Sequence, residues 1–232
     1  MRVAASGVGP WGDAVYGVTN PHFCGANAEF AICSANMISR KPTRLSDIEA
    51  ASVPVVAVTA WQMLFDYAHA APGQAVMILG AAGNVGAYTV QLAASAGLNV
   101  VALATAENEE FVRSLGAQSV LNDLPNVPTL DVVIDTVGGE MRDRSIALLK
   151  PGGILVSVVS SDPRPPRPDV RTVFFYVEVT TGRLDTISNL LDQGKLSPHV
   201  GSVLPLNEVR TAHRMLAGAP HKPGKIVLDL AF

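Results

Sequence analysis

The chain has 232 residues, 48% of them hydrophobic and 16% charged, with a formal net charge of −3. That composition can fill a sizeable core and contains no tract of the kind that stays unfolded, and the scattered charges give no basic stripe for a nucleic-acid partner. No apolar run reaches the length of a membrane span and the first residues lack a signal-peptide core, so a soluble cytoplasmic protein with no membrane partner is expected.

In chain order, the stretch to about residue 40 breaks into short β-prone runs separated by Gly, Pro and Asn, the pattern of a small all-β element. Cys24 and Cys33, the only cysteines, lie in it and read as reduced thiols in a cytosolic chain. Ser46 and Glu49 have the spacing of a capping box for a short helix, which Pro54 ends, and residues 56–68 form a longer one. Ala75-Val-Met-Ile-Leu79 is an apolar strand that runs straight into Gly80-Ala-Ala-Gly-Asn-Val-Gly86. The amphipathic helix beyond it places Val85, Thr89, Leu92 and Ala96 on one face, and Asn99-Val-Val-Ala-Leu103 is a second strand.

The alternation continues with a helix over 107–115, a strand at 118–121, a buried strand at 131–135 and a helix over 140–149. Pro151-Gly-Gly153 breaks that helix from a strand at 154–158, Arg164-Pro-Pro-Arg-Pro168 reads as a rigid crossover spacer, and β-branched and aromatic residues make 171–177 a sixth strand. After these come a helix with Leu184, Ile187 and Leu191 on one face, a strand at 202–204, a helix over 208–216 and a strand at 225–228. Strands alternating with helices predict an α/β fold, a doubly wound six-stranded parallel Rossmann sheet, with a smaller β-rich part. The segments are 1–55, 56–200 for the sheet, and 201–232.

The glycine turn carries the chemistry. Strand, turn, helix and strand form one βαβ unit, and the first N–H groups of the helix, with its positive dipole end, suit an anionic pyrophosphate. Ala82, Gly83, Asn84, Val85 and Gly86 are the candidate binding residues: Gly83 lets backbone approach phosphate and Gly86 lets the helix pack on the strand. The first glycine of the G-x-G-x-x-G pattern is Ala81 in this register, with Gly80 one place earlier. Asp135, Thr136 and Val137 end a strand at the carboxyl edge where such ligands sit, as does Val159 one strand on; a turn cap is the alternative role for Asp135.

The choice between NAD and NADP rests on the end of the second strand. An NAD site places Asp or Glu there, and Leu103-Ala104-Thr105-Ala106 has neither; Glu107 opens a helix and can serve its dipole. Ala104 and Thr105 are candidate contacts, and NADP is favoured over NAD. A catalytic zinc needs three spaced ligands and an open position, and His22 with Cys24 lacks a third, so no metal is expected.

Ala50-Ala-Ser-Val-Pro-Val-Val-Ala-Val-Thr-Ala-Trp61, the glycine turn, Asp131-Val-Val-Ile-Asp-Thr-Val-Gly-Gly139, Leu149-Lys-Pro-Gly-Gly153 and Gly224-Lys-Ile-Val-Leu228 together resemble the zinc-independent medium-chain dehydrogenase/reductases, in the quinone oxidoreductase and enone reductase branch. The resemblance implies an NAD(P)H-dependent reductase of a small carbonyl or quinone substrate. It also implies a Rossmann domain at 56–200, a GroES-like part split between 1–55 and 201–232, and a homodimer formed through the Rossmann sheet. By the same resemblance Thr59 lies on the nicotinamide side, although a helical threonine commonly bonds back to a carbonyl. Phe174 and Phe175 line the nicotinamide pocket or else pack a dimer-forming strand, and Lys225 reaches the 2′-phosphate or is simply solvated. Asn108 stands where phosphate-gripping members often carry Lys, and Asp123 where they often carry Tyr.

Residues 1–11 look like an early strand of the family's catalytic domain and residues 12–17 like one near its end. The stretch that separates them in the family, with much of the barrel, is absent here. No residue aligns with the family's catalytic Tyr or Asn, and Tyr16 reads as packing, so no catalytic residue is assigned. A catalytically inactive NADPH-binding protein with a regulatory or assembly role, or a chain with only a structural one, are the alternatives.

Overall fold

Apolar β-branched runs pair as strands, and the helical runs between them cover the strand faces. The computed structural model describes residues 12–124, 130–160 and 167–230. Their strands are β1 (Val15–Gly17), β2 (Ile38–Arg40), β3 (Ala75–Leu79), β4 (Asn99–Leu103), β5 (Ser119–Leu121), β6 (Leu130–Asp135), β7 (Leu149–Ser157), β8 (Arg171–Phe174), β9 (Val200–Pro205) and β10 (Lys225–Asp229). The α-helices are α1 (Asp47–Ala51), α2 (Pro54–Trp61), α3 (Asn84–Ser95), α4 (Glu109–Ser114), α5 (Gly139–Ser145), α6 (Thr181–Asp192) and α7 (Val209–Leu216). By contact they form two units, residues 59–177 and the described residues that precede and follow it.

In the first unit β5-β4-β3-β6-β7-β8 make one sheet in which every neighbouring pair is parallel. This is the doubly wound dinucleotide-binding order, and its winding reverses between β3 and β6. Val76, Met77, Ile78 and Leu79 are fully buried, as a central strand covered on both faces must be. One face packs Met77, Leu79, Val133 and Leu155 with Ile146 and Leu149.

Three expectations change here. The helix after the glycine turn is buried on all sides from Gly86 to Ala93 rather than amphipathic, because small residues such as Gly86, Ala87 and Ala93 admit neighbours all round. Pro151-Gly-Gly153 does not precede its strand but lies inside β7: Leu149 pairs Leu130, Ile154 pairs Val132, and the residues between them form a bulge. A bulge absorbs a proline that has no N–H for the ladder, and Gly152, at φ +80°, donates instead to the Asp169 carbonyl at 2.7 Å. Pro54 opens α2 instead of ending a turn, since a first helical position needs no N–H. The helix then continues from Gln62 to Tyr67 with π-type bonding.

In the second unit β1 and β2 pair antiparallel, Tyr16 opposite Ser39, and are the only strands of the opening stretch among its described residues. The Tyr16 hydroxyl donates to the Leu184 carbonyl at 2.7 Å and accepts from Ser188 Oγ at 2.8 Å, so Tyr16 packs the strand on α6. Leu184, Ile187 and Leu191 form the buried face of α6, which groups with β2, so the contact boundary falls at Glu178 where the sequence pattern placed 200. The capping box at α1 is formed: Ser46 Oγ accepts from Glu49 N, and Glu49 Oε2 accepts from Ser46 N. β9 and β10 pair in parallel. The expected strand at 1–11 lies outside the described residues, as does most of the spacer at 164–168.

Candidate dinucleotide site

The turn after β3 is built by two glycines that the protein itself requires. Gly80 sits at φ +74°, and a Cβ there would lie 2.6 Å from Thr136 Oγ1 and 2.7 Å from Val137 Cγ2. A Cβ on Gly86 would lie 2.1 Å from the Gly80 carbonyl oxygen and 2.8 Å from Ala81 Cα, closer than any side chain tolerates. Gly80 thus fills the structural role of the motif's first glycine, one place early. Ala81 N donates to the Leu103 carbonyl at 3.2 Å and Gly83 N to the Gly80 carbonyl at 2.9 Å, which pins the turn to β4 and closes it on itself.

Gly83 differs. A Cβ there would meet only the Gly80 carbonyl, at 3.2 Å, and the residue is exposed to solvent. It is the N-cap of α3, with φ −74° and ψ 170°; no side chain caps the helix, and its first turn carries no acid. The first N–H groups of α3 therefore face an open cradle with the positive end of the helix dipole behind them.

The turn after β6 is organised by a buried acid. Asp135 Oδ1 accepts from Val137 N at 3.0 Å and Gly138 N at 2.8 Å, and Oδ2 accepts from Ser157 Oγ at 2.7 Å. Ser157 Oγ in turn accepts from Val159 N at 3.1 Å and Ser160 N at 3.3 Å. Asp135 is thus a turn cap that fixes the loops after β6 and β7. Thr136 Oγ1 donates to the Leu79 carbonyl at 2.8 Å and ties this loop to β3. The result is that Val137 and Val159 stand 53% and 48% exposed, Val137 against Gly80 and Val159 against Gly138.

At the ends of β4 and β5 a cavity of about 200 Å³ is lined by Ala104, Thr105, Ala106, Glu109, Val120, Leu121 and Asn122. Asn108 Nδ2 donates to Thr105 Oγ1 at 2.9 Å, while Glu107 is exposed and lines nothing there. Glu109 was not singled out by the sequence pattern: a 3₁₀ turn at Ala106–Asn108 delays α4, and the delay brings Glu109 rather than Glu107 to the cavity. Asp123 faces Leu124 N at 2.8 Å and Arg144 Nη2 at 3.0 Å; that backbone bond, then the arginine, holds its carboxyl below the usual range.

Thr59 is buried in α2. Phe175 is buried with its ring 4.3 Å from that of Tyr67, and Phe174 meets Tyr176 edge-on at 5.2 Å, which is packing. Lys225 opens β10 in the other unit, where burial depresses its ammonium. That unit also holds a larger hollow of about 500 Å³, across which Ser39 Oγ donates to Asp185 at 2.5 Å and Thr43 Oγ1 to Asp192 at 3.0 Å.

A family model described as zinc-binding dehydrogenase matches residues 109–228. The chain belongs to that family. It is 32% identical over 244 residues to the probable zinc-binding oxidoreductase, mitochondrial, of Arthroderma benhamiae, covering 94% of this chain and 73% of that one. It is 28% identical over 257 residues to the NAD(P)H oxidoreductase RTN4IP1, mitochondrial, of Danio rerio, covering 94% and 66%. The quinone oxidoreductase of Coxiella burnetii has the same fold, with a TM-score of 0.84 and 29% identity over 98% of this chain and 74% of that one. Among the described residues no three His, Cys, Asp or Glu side chains are grouped so as to hold a metal ion. Nor is any helix of the described residues long and apolar enough to cross a membrane.

Proposed function

We propose that the chain is an oxidoreductase that binds a nicotinamide dinucleotide along the carboxyl edge of the sheet and uses it, without zinc, to reduce a quinone, an enone or an aldehyde. The observation that carries this reading is the open face of Gly83 over the uncapped start of α3, set at the point where the sheet reverses its winding. Bound there, the nicotinamide supplies the hydride chemistry, which needs no protein nucleophile. In this reading the N–H groups of Asn84 and Val85 hold pyrophosphate oxygens, and Ala104 and Thr105, which line the cavity at the ends of β4 and β5, meet the adenosine side. Val137 and Val159, held out by the Asp135–Ser157 network, give an apolar surface beside the turn that excludes water from the reacting face. The names of the Danio rerio and Coxiella burnetii proteins support the reaction class and the quinone acceptor.

A second reading is a dinucleotide-binding protein that carries out no reduction itself: the chain spans 73% of the Arthroderma benhamiae relative and 66% of the Danio rerio one, so the activity of those whole proteins is not carried over with the fold. Titration with NADH and NADPH, then oxidation of the bound form with a panel of quinones and enones, separates the two. Binding with no acceleration above a Gly83→Trp control leaves the binding protein; no binding removes both. A homodimer and cytoplasmic residence belong to the same proposal. Among the described residues β8 is an edge of the sheet and Tyr176 just beyond it is 85% exposed, a surface suited to a second copy. A monomer by light scattering at high concentration rules out the dimer, and fractionation of the source cells tests the compartment.

A further inference from the structure

We infer that Glu109 makes this site selective for NADH over NADPH, an inference that rests on the dinucleotide reading above. The cavity at the ends of β4 and β5 is where the sheet order puts the adenosine ribose. Glu109 is the only ionisable residue among those lining it; the rest are Ala104, Thr105, Ala106, Val120, Leu121 and Asn122. The absence of an acid in residues 103–106, which favoured NADPH on sequence grounds, is made good one helical turn later.

The carboxylate is also oriented. Arg113, one turn along α4, donates through Nε to Glu109 Oε1 at 2.8 Å and through Nη1 to the Gln118 carbonyl at 3.3 Å. Arg113 is not among the lining residues, so it anchors the acid from outside the cavity. Among the described residues Glu109 Oε2 has no partner, which leaves an acceptor for a ribose hydroxyl. A 2′-phosphate carries a charge of about −1.5 to −2 and would meet this acid with Glu107 and Glu110 close by in sequence. Nothing basic lines the cavity to offset that repulsion.

Calorimetric titration of the full chain with NADH and NADPH, and with AMP and 2′-AMP as fragments without nicotinamide, tests this. NADH is expected to bind about tenfold tighter than NADPH, the ratio falling towards one in Glu109→Gln and inverting in Glu109→Lys. Arg113→Leu, which frees the acid from its anchor, is expected to weaken NADH a few-fold without changing the order. Equal or tighter NADPH binding by the unaltered chain overturns the inference, and so does a ratio unmoved by Glu109→Gln. Selective loss of NADPH binding in Arg113→Leu also overturns it, by making that guanidinium the phosphate ligand. If neither dinucleotide nor either fragment binds a chain that is folded by circular dichroism, the dinucleotide reading fails first and this inference with it.

Discussion

The turns after β3 and β6 stand side by side at the reversal of the sheet and solve one problem in opposite ways. Each leaves main-chain N–H groups at the carboxyl edge. After β6 the chain supplies its own anion: the Asp135 carboxylate accepts from Val137 N and Gly138 N and is itself fully buried. After β3 it supplies none: Gly83 caps α3 without a side chain, and no acid occupies the first turn. A buried set of donors is nearly always satisfied from within, so the sealed turn is scaffold; the open one is exposed to solvent, and its N–H groups are the ones the proposed dinucleotide would engage. This contrast yields tests that grade from loss of the fold to a fine adjustment of it.

The largest effect is expected at Gly86. Its Cβ would lie 2.1 Å from the Gly80 carbonyl oxygen, so Gly86→Ala must move backbone in both the turn and the helix. A loss of more than about 3 kcal/mol in urea denaturation is expected. Gly83→Ala, three positions earlier in the same turn, should cost less than about 1 kcal/mol, because only the Gly80 carbonyl at 3.2 Å is near. Equal losses at the two glycines would mean that the open face of Gly83 has no special role. Next is Asp135→Ala, which leaves Val137 N, Gly138 N and Ser157 Oγ without their acceptor. About 3 kcal/mol should be lost, and nucleotide affinity should fall because the Val137 and Val159 loops lose their brace. Affinity unchanged beside a large loss of stability would detach those loops from the site.

How much of this could be read from the sequence follows the same division. The sheet was legible because a central parallel strand is buried on both faces, so Val76, Met77, Ile78 and Leu79 form an unbroken apolar run that a surface strand would not allow. The glycine turn was legible because an apolar strand precedes it and a helix and a second strand follow, the order of one βαβ unit. What could not be read depends on pairing and on local angles. Nothing in Pro151-Gly-Gly153 says that it bulges inside β7, since the bulge exists only against Leu130 and Val132 of the neighbouring strand. Pro54 could end one helix or open the next with the same side chain. Glu109 was hidden because one 3₁₀ turn decides which carboxylate meets the cavity. The all-round burial of α3 escaped notice because alanine and glycine fit either a covered or an exposed face.

A smaller effect is expected at a third helix start, where a side chain does the capping. At α1 the Glu49 carboxylate is held below its ordinary range, first by the Ser46 backbone N–H and then by the Ser46 side chain. Because the folded pKa is the depressed one, this contribution is present above the ordinary glutamate range and is lost as pH falls through the folded value. The protection of the Ser46 amide against exchange, relative to its intrinsic rate at the same pH, should therefore fall in acid, and Glu49→Gln should flatten that dependence. Ser46→Ala should cost about 1 kcal/mol. An unchanged acid profile in Glu49→Gln would show that the box contributes nothing.

The smallest change in stability should accompany the largest change in binding, and it comes from giving the open turn the acid that the closed one has. Gly83 already has the extended φ and ψ of an N-cap, −74° and 170°, so an aspartate there can cap α3 without backbone strain. Aspartate is a better N-cap than glycine by only a few tenths of a kcal/mol, and its charge lies favourably on the helix dipole. Gly83→Asp should thus hold or slightly raise the urea midpoint while lowering dinucleotide affinity by about a hundredfold, since the carboxylate takes the amides and repels the pyrophosphate. Gly83→Asn separates the two causes: it caps with the same shape but no charge, so it should keep the stability and recover part of the affinity. If Gly83→Asp binds as tightly as the unaltered chain, the amides that open α3 do not hold the phosphates, and the resemblance between the two turns is one of geometry alone.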